Sequence, residues 1–495
     1  DFDISDRLYF EPLTADDVFG ILENEQPLGV ICQFGGQTAI KLIKAVSDMG
    51  YPILGTSANG VDEAEDRERF DAILELCEIP RPRGYTVYTA DEAVAAAEDL
   101  IYPVLLRPSY VLGGQGMVIC SNEADVREYM GYINRSVQEH PILVDKYLMG
   151  LELEVDAISD GDHILIPGIM EHLERAGVHS GDSISIFPAY ISERTRDTIV
   201  TYTERLARSL NVIGLLNIQY ILYNDEVYVI EVNPRSSRTI PYISKVTGLP
   251  VVNLATRVML GEKLINMGYG TGLYARYPSV YAVKAPVFSF EKLQDVDTAL
   301  GPEMKSTGEV LGLSNTYSEA MYKAILASNF RFPKPGAGII LTVRDADKSD
   351  LLPLAERLFA LGYKLYGTGG TANYLNRHGV PTNITRKIGQ PAPTAKELVQ
   401  SGQAKLLINT TDQSDITSSG FILRRVCIEH GVPTITSLDT CLAVVECLEQ
   451  GLTPESIEPV TIADFAKRVD QTKHRTLPEH EMTQHNMLNN STKSK

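Results

Sequence analysis

Apolar residues along the chain follow two rhythms, and the changes between them outline its organisation. Thr14 is placed to cap a helix running through Asp16 and Asp17 to Glu25. Residues 29–34 read as a strand ending in Gly35-Gly36, 38–49 as a helix and 51–55 as a short strand. That order predicts a parallel sheet wanting another strand before residue 1, so the chain, which opens on Asp1, reads as a piece of a longer one. From about residue 62 to 330, helices at 66–76 and 90–100 mix with strands at 102–107, 117–120, 142–148 and 153–158. Residues 332–338 form a proline- and glycine-rich linker. Beyond it, strands at 339–343, 364–366, 382–385, 405–409 and 434–436 alternate with helices near 347–361, 371–378, 394–401 and 415–430, with another at 439–450. This regular alternation predicts a small doubly wound domain. Residues 474–495 read as a frayed polar tail, with His474, His480 and His485 in or beside it.

At 495 residues the chain has room for about three domains. Its 45 basic against 64 acidic residues give a net charge of −19, which argues against nucleic acid or an anionic membrane as partner. Bound phosphates must then be met by local arginines, helix ends and metal. Cysteines 32, 77, 120, 427, 441 and 447 show no Cys-x-x-Cys spacing and fit a reduced, cytoplasmic compartment. No apolar run approaches the roughly 18–20 residues that span a bilayer.

The densest chemistry lies in Glu231-Val232-Asn233-Pro234-Arg235, at the end of the second of two apolar runs, 215–223 and 227–230. Side chains alternate along a strand, so Glu231 and Asn233 share a face, and a carboxylate beside an amide oxygen suits Mg²⁺. Gln219 joins them only if the hairpin pairs it with Glu231. A three-residue connection at 224–226 does that, and a one-residue slip turns Gln219 away. Arg235 and Arg238 leave the strand end placed for phosphoryl oxygens. A second signal is the run from Arg107 to Met117, where Gly113, Gly114 and Gly116 form a turn whose amides can approach a polyphosphate and Arg107 offers a fork. Residues 142–148 supply apolar walls and backbone groups for a purine edge, and Glu152 can accept ribose hydroxyls. The polar, glycine-rich stretch 168–183 reads as a functional loop, with His179 a donor to phosphate or substrate.

Together these motifs resemble the C-terminal half of the carbamoyl-phosphate synthetase large subunit family. The resemblance is carried by Ser5-Asp6-Arg7-Leu8-Tyr9-Phe10-Glu11-Pro12, Phe34-Gly35-Gly36-Gln37-Thr38, the 64–70 segment, Arg107 to Gly114, Ile169-Met170-Glu171-His172, 177–183, 231–235 and 301–310, nearly end to end. It implies an α/β chain with a partial Rossmann-like pre-ATP-grasp domain (1–65), an α+β ATP-grasp domain (66–331), a doubly wound regulatory domain (332–473) and the tail. It implies that Arg107, Lys146, Leu148, Glu152, Gly177, Val178, His179, Ser180, Gln219 and Glu231 surround ATP. It further implies that Gln219, Glu231 and Asn233 ligate Mg²⁺ or Mn²⁺, with K⁺ a further candidate, and that Arg235 and Arg238 face the phosphoryl acceptor. The implied reaction is phosphorylation of carbamate to carbamoyl phosphate, the last step of a glutamine-dependent synthesis serving pyrimidine and arginine formation. The implied partners are the other half of the large subunit and a glutamine amidotransferase subunit, in a hetero-oligomer.

The terminal domain resembles methylglyoxal-synthase-like regulatory domains, with Lys348, Thr368, Thr371, Lys387, Asn409 and Thr411 implied to bind a nucleotide effector such as UMP or IMP. Asp412-Gln413-Ser414-Asp415 lacks the glycines of the enzymatic cousin, which favours regulation over catalysis. Glu174 and Asp182 match two acidic groups that grip ornithine in responsive relatives, but the third position is Ala285, which puts that response in doubt. The rival readings are another ATP-grasp ligase of the biotin carboxylase type and a non-catalytic effector-binding fragment.

Overall fold

The computed structural model describes residues 4–108, 116–136, 141–274, 280–293, 296–386, 388–391, 393–410, 418–461 and 464. Gly113, Gly114, Lys387, Thr411, the 412–415 segment and the tail lie outside them. Three sheets organise the rest. A four-stranded antiparallel sheet has the order Gly84–Val87, Ile142–Lys146, Val104–Pro108, Val118–Cys120. Helices Ala90–Leu100 and Glu123–Ser136 cover it, the first opened by a Thr89/Glu92 capping box.

The second sheet runs Glu226–Asn233, Ile213–Tyr223, Leu151–Asp160, Ile169–His172, Ser185–Phe187, Tyr281–Val287, Gly308–Ser314, with two short strands attached. One face packs its apolar residues against helix Glu193–Ser209, while the other is polar around strand Leu151–Asp160. The third sheet is parallel, in the order Asn383–Thr385, Lys364–Thr368, Gly338–Thr342, Ala404–Asn409, Thr434–Ile435. This is the doubly wound arrangement expected after the linker. A single apolar cluster joins it to the second sheet, from Ile184, Val283 and Ala285 to Ile339, Leu341 and Cys441.

Three expectations are corrected. The 29–34 and 51–55 strands reduce to one parallel bridge, Val30 to Ile53, because a single pair cannot build a ladder of hydrogen bonds. The 38–49 helix divides into Gly36–Ile40 and Ile43–Asp48, where the Leu42 amide turns to Ala39 and tightens the coil. The stretch 168–183 begins as a buried strand, Ile169–His172, paired on both sides, and only its later part is loop.

Candidate active site

The strand pair carrying Glu231 turns on two residues, Asn224 and Asp225, both at positive φ, so Glu226 pairs with Tyr223. This connection is one residue shorter than the three that Gln219 needs to face Glu231. The missing residue enters further along, where the register shifts between Val229 and Glu231. Ile230 bulges out, 37% exposed, and pairing resumes as Glu231 to Gln219 and Asn233 to Asn217. The bulge keeps Val227 and Val229 on the apolar face while Glu231 and Asn233 turn to the polar one.

Around this corner, Gln219 Nε2 donates to Ser180 Oγ at 2.9 Å, leaving its oxygen for another partner. Glu231 is exposed, and no hydrogen bond or ion pair holds its carboxylate among the described residues. Asn233 Oδ1 accepts from Arg235 Nη2 at 2.9 Å, and Arg235 Nε donates to Gln37 Oε1 at 2.8 Å, tying the strand exit to the opening segment. Arg238 Nη1 donates to Ser306 Oγ at 2.9 Å and to Ser306 O at 3.2 Å. His179 Nδ1 accepts from the Gly181 amide at 3.0 Å, which leaves Nε2 to donate, and burial lowers its pKa against the pull of Glu231. The donor set fits a hard divalent ion that also takes phosphate oxygens: one free carboxylate, one free amide oxygen and a second amide oxygen shared with Arg235. Among the described residues no group of three His, Cys, Asp or Glu side chains offers an alternative.

The expected nucleotide residues are partly engaged with the protein. Arg107 Nε donates to Asp145 at 3.1 Å, where Arg67 Nη2 also binds at 2.6 Å, and Lys146 Nζ donates to Ile101 O at 2.6 Å. Leu148 packs with Ala176 and Ile221 in a small apolar cluster bordered by Tyr147, whose hydroxyl donates to Ala176 O. Glu152 accepts from the Gly177 amide at 3.3 Å and meets His172 Nδ1 at 3.1 Å, so ribose hydroxyls would share its oxygens.

Sequence reasoning named Glu152 but gave no role to the buried groups around it, Glu154, Asp156, His172 and Lys284. Glu152, Glu154 and Asp156 lie on one face of strand Leu151–Asp160, buried, and their i, i+2, i+4 spacing was the available signal. His172 sits between Glu152 and Glu154, with Nε2 3.0 Å from Glu154. Burial opposes its charge, but hydrogen bonds and charges of both glutamates win and raise its pKa to about 9. Burial likewise opposes ionisation of Glu154, yet His172, Lys284 and Asn217 hold it at about 2. Burial and the Glu154 charge push Asp156 up to about 7, where Asn217 and Thr239 bond it at 2.9 and 2.6 Å. Buried Lys284 donates to Ser180 O at 3.2 Å and so steadies the loop that meets Gln219.

In the parallel sheet, Lys348, Thr368 and Thr371 line a cavity with Thr342, Ser419 and Gly420. Thr342 and Asn409 end the adjacent strands where the strand order reverses, and Asn409 Nδ2 donates to Thr342 O at 2.9 Å. Of the positions matching the ornithine grip, Glu174 accepts from the Ile184 amide and Thr440, and Asp182 from the amides of Lys305 and Ser306. Ala285 is buried in the shared apolar cluster, where a carboxylate would be costly.

Comparison with known proteins accords with this geometry. Residues 1–63 match the model described as carbamoyl phosphate synthase preATP-grasp domain, and residues 66–267 that of the carbamoyl-phosphate synthase L chain, ATP binding domain. Residues 350–436 match the MGS-like domain. The carbamoyl phosphate synthase large chain of Lachnoclostridium phytofermentans is 59% identical over 451 residues, 91% of this chain and 42% of that one. The protein of the same name from Agathobacter rectalis is 54% identical over 466 residues, 94% of this chain and 43% of that one. The chain thus spans less than half the length of these relatives. Among solved structures, a biotin carboxylase domain of Hydrogenobacter thermophilus 2-oxoglutarate carboxylase aligns with a TM-score of 0.52 at 16% identity, over 65% of this chain and 79% of that one. The biotin carboxylase of Campylobacter jejuni gives 0.50 at 16% identity, over 63% and 76%. At these identities the likeness shows the ATP-grasp fold alone. Three domain matches in order, with relatives more than half identical along nine-tenths of its length, show that the chain belongs to the carbamoyl-phosphate synthase large-chain family.

Proposed function

We propose that this chain transfers the γ-phosphoryl group of ATP to carbamate, giving carbamoyl phosphate and ADP. The observation that carries the reading is the corner at which Glu231, Gln219 and Asn233 converge beside Arg235 and Arg238. A carbamate oxygen attacks the γ-phosphorus and forms the new P–O bond as the bond to the ADP oxygen breaks. Carbamate brings its own nucleophilic oxygen, so positioning and charge neutralisation carry the catalysis. Leu148, Ala176 and Ile221 offer an apolar seat for the base, and Glu152 is placed for the ribose. Arg238, braced by Ser306, meets the acceptor side, while Arg235 is held in its plane by Gln37 and Asn233. Gln219, Glu231 and Asn233 would hold Mg²⁺ or Mn²⁺, which would supply further neutralisation of phosphate charge. Formation of ATP from carbamoyl phosphate and ADP by this chain tests the reading; no ATP from protein that still binds ADP sinks it.

The cavity of the parallel sheet is read as the seat of a nucleoside monophosphate such as UMP or IMP. It lies at the switch point of an open α/β sheet, and the first turn of helix Gly369–Arg377 contributes Gly370 and Thr371 to its lining. Lys348→Ala removes the cavity's cation, which Asp345 holds at 2.6 Å, so UMP affinity measured by calorimetry is expected to fall about tenfold or more. An unchanged Kd would remove Lys348 from the site. The remaining subunit partners complete the synthesis from glutamine and bicarbonate. Six buried free thiols accord with a cytoplasmic setting, and among the described residues no helix is long and apolar enough to cross a membrane.

A further inference from the structure

Helix Ser419–Glu429 lines the effector cavity with Ser419, Gly420 and Leu423, and its next residue turns away from it. That residue, Arg424, is fully buried. Its Nη1 donates to Asn409 Oδ1 at the end of strand Ala404–Asn409. Its Nε and Nη2 form a fork on Asp297 Oδ1 and Oδ2 at 2.7 and 2.6 Å. Asp297 belongs to the other domain, in the connection between strands Tyr281–Val287 and Gly308–Ser314.

From Asp297 the chain forms a strap that ends at the reaction centre. Lys305 Nζ closes it, donating to Asp297 O at 3.0 Å and Ala299 O at 2.7 Å. The Lys305 and Ser306 amides both bind Asp182 at 2.8 Å, and Gly301 O accepts the His179 amide at 2.9 Å. Ser306 then holds Arg238. The residues gripped by the strap are therefore those beside Glu231 and Gln219. A buried guanidinium tolerates no unpaired state, so Arg424 and Asp297 must move together. A methyl group at Gly420 would stand 3.2 Å from Arg424 Nη1, so the cavity floor and the fork are in direct packing contact.

We propose that Asp297 is a positioning residue for phosphoryl transfer: through strap 297–307, the fork from Arg424 sets Arg238 and His179 according to what fills the effector cavity. The proposal rests on the reading of both sites given above. It supplies the contiguous element that coupling between distant sites needs. A second set of contacts, Arg175 with Asp439 and Asp350, also joins the domains but touches neither strap nor cavity floor, which makes it the control.

The test uses the full chain, with UMP as probe. UMP affinity is measured with and without saturating ADP, the ADP Kd with and without saturating UMP, and KM and kcat for carbamoyl phosphate with and without UMP as a separate kinetic readout. Linkage requires each ligand to change the other's affinity by the same factor. In Asp297→Asn that factor is expected to fall to about one while the UMP Kd stays within about threefold. The doubly apolar variant Arg424→Met with Asp297→Leu avoids a lone buried charge and is expected to do the same, whereas Asp439→Asn keeps the factor of the parent chain. A factor that survives in both strap variants overturns the proposal alone, as does loss of UMP binding in Asp297→Asn or equal loss of coupling in Asp439→Asn. If the parent chain shows no response to UMP or IMP, the effector reading fails and the proposal falls with it.

Discussion

Replacing Glu231 with glutamine is expected to lower ATP formation from carbamoyl phosphate and ADP by about 10²–10⁴-fold, or roughly 3–5 kcal/mol of transition-state stabilisation. The substitution keeps the shape and the strand. It removes the one carboxylate at the corner that no protein group neutralises among the described residues. Because Glu231 is exposed, stability should stay within about 0.5 kcal/mol of the parent chain. Mn²⁺ binding in the presence of ADP, followed by paramagnetic relaxation, should weaken in parallel. Full activity in the variant would remove the metal role from this residue. Loss of activity with unchanged Mn²⁺ affinity would instead place Glu231 in substrate binding.

His172→Gln is expected to be the most destabilising single change near the site, at about 3–5 kcal/mol, because it leaves two buried glutamates facing each other without the cation between them. The pH dependence carries a sharper signature. The folded pKa of His172, about 9, lies above its unfolded value of about 6.5, so its contribution is complete below pH 6.5 and is lost as pH rises through 9. Asp156 and Glu174, each raised to about 7 chiefly by burial, bind more protons folded than unfolded between about pH 4 and 7, so their ionisation also lowers stability as pH rises. Glu154, held at about 2, acts in the opposite sense and is felt only as pH falls below about 4.5. Urea unfolding of the parent chain at pH 5.5, 7 and 9 should therefore show falling stability. His172→Gln should flatten the limb between 6.5 and 9. Parallel curves for the two proteins would show that His172 carries no charge in the folded state.

Much of the architecture was legible because it is local. The capping threonine at 14, the alternation beyond residue 338 and the apolar runs flanking Asn224 each depend on residues a few positions apart. The motif from Glu231 to Arg235 was readable as chemistry for the same reason. Its register was readable only as a condition, and the structure meets that condition by a route not anticipated, a tight turn plus a bulge at Ile230. The trace was present in the chain. Apolar positions run 227 and 229, then shift phase to 232, as they must when one residue drops out of the alternation.

The chain's sequence by itself determined which segments become helices and strands, and which of them carry carboxylates, amides and arginines, since backbone preference and side-chain alternation act within a few residues. Only the tertiary structure decided that His172 lies between Glu152 and Glu154, that Arg107 shares Asp145 with Arg67, and that Arg424 grips Asp297 from 127 positions away. Those pairings follow from which strand lies beside which and how two domains meet, and at His172 it is the two glutamates brought to it, acting against burial, that favour the charge.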